Sequence, residues 1–168
     1  MTYYYRLDSD GEDTNLQLHA FQHAKDLWHD LQEEYKKSGE HTDKLKEKCV
    51  LVLATLGLSI SQLLGQNNPA VEKKDVPPPI KLFNGFVDAH GLDAGLKTRF
   101  RRFNYFYNGC RHFGKTTDDE RYQRIDDLTF SVTRDCYEFG LEVWRTVIEV
   151  YRGEGGVNLD DFEEEYGC

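Results

Sequence analysis

From Cys49 to Ile60 the chain reads Cys-Val-Leu-Val-Leu-Ala-Thr-Leu-Gly-Leu-Ser-Ile, apolar around the whole circumference of a helix. A helix of that kind has no polar face to give to water and has to be enclosed by others. Even extended to Gly65, the apolar run falls short of the roughly 20 residues that span a bilayer. The expectation is a central core helix, starting near Thr42 and ending at about Gln66, in a cytoplasmic protein with no membrane role. The start of the chain, Met1-Thr2-Tyr3-Tyr4-Tyr5-Arg6-Leu7-Asp8, carries no apolar signal core.

The rest of the sequence supplies helices to enclose that core. From Asn15 to Lys37, Phe21, Ala24, Leu27, Trp28, Leu31 and Tyr35 recur at three-and-four spacing, and Lys36, Lys37 and Gly39 form a stop signal. Ile80 to Ala89 reads as a short helix closed by Gly91, and a longer one runs from about Leu92 to Phe113 with Gly114 as terminator. Thr117-Asp118-Asp119-Glu120 fits a capping box. It opens a last helix lined by Ile125, Leu128, Val132, Cys136, Phe139, Val143 and Val147, a stripe that Tyr137, Leu141, Trp144, Ile148 and Tyr151 widen until it faces two neighbours. No stretch alternates like a strand and no internal repeat is evident.

An all-α, single-domain bundle of four to five helices follows, and 168 residues suit one domain. Residues 1–13 are expected to be a flexible or docking arm rich in tyrosine and acid. Residues 14–153 form the bundle, with a linker at 67–79 stiffened by Pro77-Pro78-Pro79, and residues 154–168 an acidic tail.

A formal charge of −9 repels phosphate polymers at long range, so any nucleic-acid role needs a local basic patch. The four cysteines, Cys49, Cys110, Cys136 and Cys168, form no C-x-x-C pair and are read as reduced thiols. No Gly-rich phosphate loop or serine elbow is present. His19, His23 and Asp26 have helical spacing for a shared metal but lack the glutamate of His-Glu-x-x-His; a solvated flank is the favoured reading, and no metal or cofactor is expected.

Chemistry concentrates in Tyr107-Asn108-Gly109-Cys110-Arg111-His112. At about 100 degrees per residue, Leu96, Phe100, Phe103, Phe106, Cys110 and Phe113 are assigned to one side of the helix. Arg101, Asn104, Tyr105, Tyr107, Asn108, Arg111 and His112 are assigned to the other. An imidazole, a guanidinium, an amide and a phenol together suit a phosphodiester: His112 would exchange a proton with a ribose hydroxyl while Arg111 or Arg101 stabilises phosphate charge. The same residues have structural readings: His112 as a cap, Asn108 holding the loop after Gly114, Arg111 paired with Asp118 or Asp119. Lys97, Arg99, Arg101 and Arg102 form the densest basic cluster. It is either a phosphate-attracting approach, with Lys97, Arg101 and Arg102 as binding residues, or an offset to the acidic ends.

From Leu92 to Tyr151 the order of features, a helix ending in Asn-x-x-x-His, a polar loop and a long aromatic-rich helix, resembles the HEPN family of small helical bundles. That family's hallmark is an arginine followed by a polar residue, with histidine several residues on. Its members include metal-independent ribonucleases, toxins and anti-phage effectors, with active sites formed where two copies of the motif meet across a dimer. Asn108 and His112 match; Tyr107 stands where the family has arginine, and Arg111, one turn further on, would supply the charge from a displaced position. The resemblance implies an RNA endonuclease or RNA- or nucleotide-binding component of a toxin or defence system, working as a homodimer, with His112 as acid or base, Arg111 on phosphate and Asn108 orienting. The alternative is a non-catalytic adaptor, antitoxin or inhibitor whose acidic arm and tail engage a basic protein partner.

Overall fold

The structure, a computed structural model, describes residues 16–39, 42–66, 78–111 and 119–153. They form six helices and no strand: α1 (Leu16–Ser38), α2 (Asp43–Gln66), α3 (Pro79–Ala89), α4 (Gly95–Arg111), α5 (Asp119–Asp126) and α6 (Phe130–Gly153). The all-α class is as expected from the periodicity. Among the described residues there are six helices where four to five are expected, because the last expected helix is two.

Helix α1 buries Phe21, Ala24, Trp28 and Leu31. It stops where Gly39 takes φ +69 and its amide donates to the Tyr35 carbonyl at 3.0 Å, a left-handed conformation open to glycine at little cost. The chain re-enters a helix at once. Thr42 Oγ1 accepts from the Leu45 amide at 3.1 Å, the geometry of an N-cap. Lys48 pairs with Asp30 at 2.7 Å and Lys44 with Glu34 at 3.5 Å, which sets α1 and α2 antiparallel.

Helix α2 is the enclosed one: α1, α3, α4 and α6 all pack against it, burying Leu45, Cys49, Val52, Leu53, Leu56, Ile60 and Leu63. The helix runs further than its apolar run, so by length and composition alone it is long and apolar enough to cross a membrane; more than half of its most apolar window is buried inside the bundle. Leu51 and Leu58 remain on an exposed side.

Pro78, at φ −53 and ψ 147, enters α3 in an extended conformation and Pro79 takes the first helical turn, where a missing amide costs nothing. At the other end Gly91 N–H donates to the Asp88 carbonyl and Leu92 N–H to that of Val87 at 3.0 Å, with Gly91 at φ +60. This is a Schellman closure. Helix α4 begins three residues later than expected, because Asp93 Oδ1 accepts from the Gly95 amide at 3.1 Å and ends the turn there. Its expected terminator, Gly114, lies outside the described residues, as do residues 67–77 of the linker expected at 67–79, whose last residue Pro79 is already in α3, the capping residues Thr117 and Asp118, and both chain ends at 1–15 and 154–168.

The break between α5 and α6 falls at Asp127-Leu128-Thr129. Thr129 caps α6, its Oγ1 accepting from the Val132 amide at 3.2 Å. The Lys46 ammonium, from α2, donates to the carbonyls of Ile125, Asp126 and Leu128 at 2.9, 3.0 and 2.8 Å. Helix α6 then packs on α2 and α4. It also reaches α1 through stacked rings: Trp144 on Phe21 at 4.4 Å and Tyr137 on Trp28 at 4.6 Å.

Candidate functional site on α4

Helix α4 places the residues singled out in the sequence, and Tyr107 is not where the wheel arithmetic assigned it. Its side chain is only 4% exposed and belongs to the core. Phe103, one turn earlier, stacks on it with ring centroids 6.3 Å apart. Its ring fills the space over Gly57 of α2, so closely that a β-carbon at 57 would come 2.1 Å from Tyr107 Cδ2. The position that the family resemblance assigns to arginine is thus an aromatic anchor between α4 and α2. The spacing held the signal: Tyr107 follows Phe103 by four residues and precedes Cys110 by three, so it shares their face.

Arg111 is exposed at the end of α4, its guanidinium 5.6 Å from the centroid of the Tyr107 ring. That is cation–π distance, so Arg111 stays close to Tyr107 while reaching solvent. Asn104 and Asn108 stand one turn apart on the flank of α4, half-buried, and the amide oxygen of each is buried with no hydrogen-bond partner among the described residues. An unmet buried acceptor costs stability, so each of these amide oxygens weighs against the fold. Tyr105 is turned to α5: the Arg124 guanidinium lies 4.5 Å over its ring and Nη1 donates to its carbonyl at 3.4 Å. His112 lies outside the described residues.

Cys110 faces inward and is buried. Burial, followed by its neighbours Cys136 and Cys49, pushes its thiol up to about 12. Burial likewise pushes Cys136 up to about 11. Both are neutral thiols near pH 7 and have no nucleophilic character there.

The basic cluster is divided by the helix. Lys97 pairs with Asp88 of α3. Arg99 grips Glu142 of α6 with both terminal nitrogens, at 2.9 and 2.6 Å, while lying 4.5 Å over the Phe139 ring; the hydrogen bond to Glu142 raises its already high pKa. Arg102 approaches Asp135 at 3.8 Å. Arg101 points elsewhere, exposed, with no ion pair among the described residues. Of the three residues expected to bind phosphate, Lys97 and Arg102 each lie within ion-pair distance of a carboxylate of the same chain, with both partners partly exposed.

A feature the sequence reading missed is a groove of about 400 Å³ between α4 and α6, walled by Arg99 and Arg102 on one side and Asp135, Glu138 and Glu142 on the other, with Phe103, Cys136 and Phe139 beneath. Its acidic wall is a stripe at three-and-four spacing, visible in sequence, but the opposing helix is not identifiable without tertiary structure. In α1, His23 is exposed and Asp26 accepts from Gln22 at 3.2 Å. No cluster of three or more metal-binding side chains occurs among the described residues. Comparison with family models, with curated proteins and with solved structures gave no match.

Proposed function

We propose that the chain is a non-catalytic helical binding protein, an adaptor, antitoxin or inhibitor, that engages a basic protein partner. The observation that carries this reading is the fate of the basic cluster: Lys97, Arg99 and Arg102 each turn to a carboxylate of the same chain. Paired in this way, they leave no concentrated basic face among the described residues to oppose the net charge of −9. A strongly acidic molecule attracts cationic surfaces and speeds their encounter. The stretches Asp8 to Asp13 and Asp160 to Glu165 concentrate that charge. The test is capture of a stoichiometric partner by the full chain and by a variant with these acidic stretches changed to Asn and Gln. Loss of capture in the variant, and weakening with salt in the parent, are expected; capture unchanged in the variant overturns the reading.

A second reading is favoured by the exposed guanidinium groups of Arg101 and Arg111 on α4. Such groups suit an RNA backbone, whose phosphates attract guanidinium. On this reading the chain is a HEPN-like RNA-binding or RNA-cleaving component of a toxin or anti-phage system, with a homodimer joining two patches. Metal-independent cleavage that disappears in His112→Ala would favour it over the first reading.

A further inference from the structure

The break between α5 and α6 has no local cause of the usual kind. No glycine or proline occurs from Asp119 to Phe139, and Ile125, Leu128, Val132 and Cys136 keep helical spacing straight across it. In an unbroken helix the carbonyls of Ile125, Asp126 and Leu128 would accept from the amides of residues 129, 130 and 132. Here the Thr129 amide turns to the Asp127 carbonyl at 3.1 Å and the Val132 amide to Thr129 Oγ1 at 3.2 Å. The carbonyls of Asp126 and Leu128, left without those amides, accept from one ammonium, that of Lys46, which also donates to the Ile125 carbonyl beside the Leu128 amide at 3.1 Å. A lysine has three N–H donors, and all three are used here. The bend also fixes what α5 touches, since it brings Arg124 onto the ring and carbonyl of Tyr105 on α4.

We propose that Lys46 is the latch of a two-state element. With its ammonium on the three carbonyls the chain is bent at residues 127–129 and α5 lies on α4; with the ammonium withdrawn, α5 and α6 join into one continuous helix and Arg124 leaves Tyr105. The sequence across the break satisfies both forms, because the same apolar stripe serves either. A partner or modification that takes the charge of Lys46 would thereby move α5 relative to the Tyr105 side of α4. Such amplification of a local change requires a bistable element, and a helix broken from outside is one.

The test is backbone NMR on Lys46→Met, which keeps the length of the side chain and removes its donors. Expected are Cα shifts of Asp127, Leu128 and Thr129 moving to helical values, with slower amide exchange at Thr129 and Val132 than in the parent. A folded Lys46→Met protein that keeps non-helical shifts there overturns the proposal. Thr129→Ala, which removes the cap but leaves Lys46, is expected to keep the break. If Thr129→Ala fuses the helices, the cap and not Lys46 holds them apart, and the proposal fails whether or not Lys46→Met folds.

Discussion

Tyr107 and Gly57 form a close-fitting pair: the phenol ring of one occupies the space where the other has no side chain, with only 2.1 Å between Tyr107 Cδ2 and the place of a β-carbon on Gly57. Alanine is ordinarily the better helix former by about 1 kcal/mol. At this position the gain is outweighed, because a core ring cannot retreat from a methyl group without shifting α4. Gly57→Ala is expected to destabilise the protein by about 1–3 kcal/mol, measured by urea unfolding. Equal or greater stability would show that Tyr107 moves freely.

Restoring the arginine of the resembling family at this position is expected to damage the fold and not to create an enzyme. Tyr107→Arg puts a guanidinium into a site that is 4% exposed, against Phe103 and Gly57. A loss of about 3 kcal/mol or more is expected in unfolding measurements, without gain of RNA cleavage.

The unmet amides make a prediction of opposite sign. Asn104→Leu and Asn108→Leu each remove a buried acceptor that has no hydrogen-bond partner among the described residues. Each is expected to leave stability unchanged or raise it by about 1 kcal/mol, read as a shift in Tm. A clear loss for either would mean that the amide is bonded within the fold.

The buried thiols set an alkaline dependence. Cys110 rises from 9.0 to about 12 in the folded chain, so between those values the unfolded chain loses a proton that the folded one keeps. Stability from this group is complete below pH 9.0 and is lost as pH climbs toward about 12. One group gives a slope of at most about 1.4 kcal/mol per pH unit. Cys110→Ala is expected to be less stable overall and to show a shallower alkaline slope than the parent. Parallel slopes would contradict the burial of an ionisable thiol.

Much of the bundle is legible in the sequence because its start and stop signals are local: Gly39 and Gly91 close their helices and Pro79 opens one, each acting on its own turn. The enclosure of α2 follows from its lack of a polar side. The break before Phe130 is not legible, since its latch, Lys46, is 80 residues from Asp126 and the apolar stripe runs through it unchanged. The candidate site is legible only in part. Asn108 and Arg111 lie where helical spacing puts them. Tyr107 belongs with Phe103 and Cys110, an assignment the polar character of its hydroxyl obscures, and the destination of each basic side chain depends on which helix lies opposite.

The central claim, that the α4 segment is built for packing and binding and not for catalysis, is tested most directly by incubating the purified full chain with RNA in the absence of divalent metal, beside His112→Ala. No cleavage above background is expected from either protein. Cleavage by the parent that is abolished in a folded His112→Ala protein would contradict it.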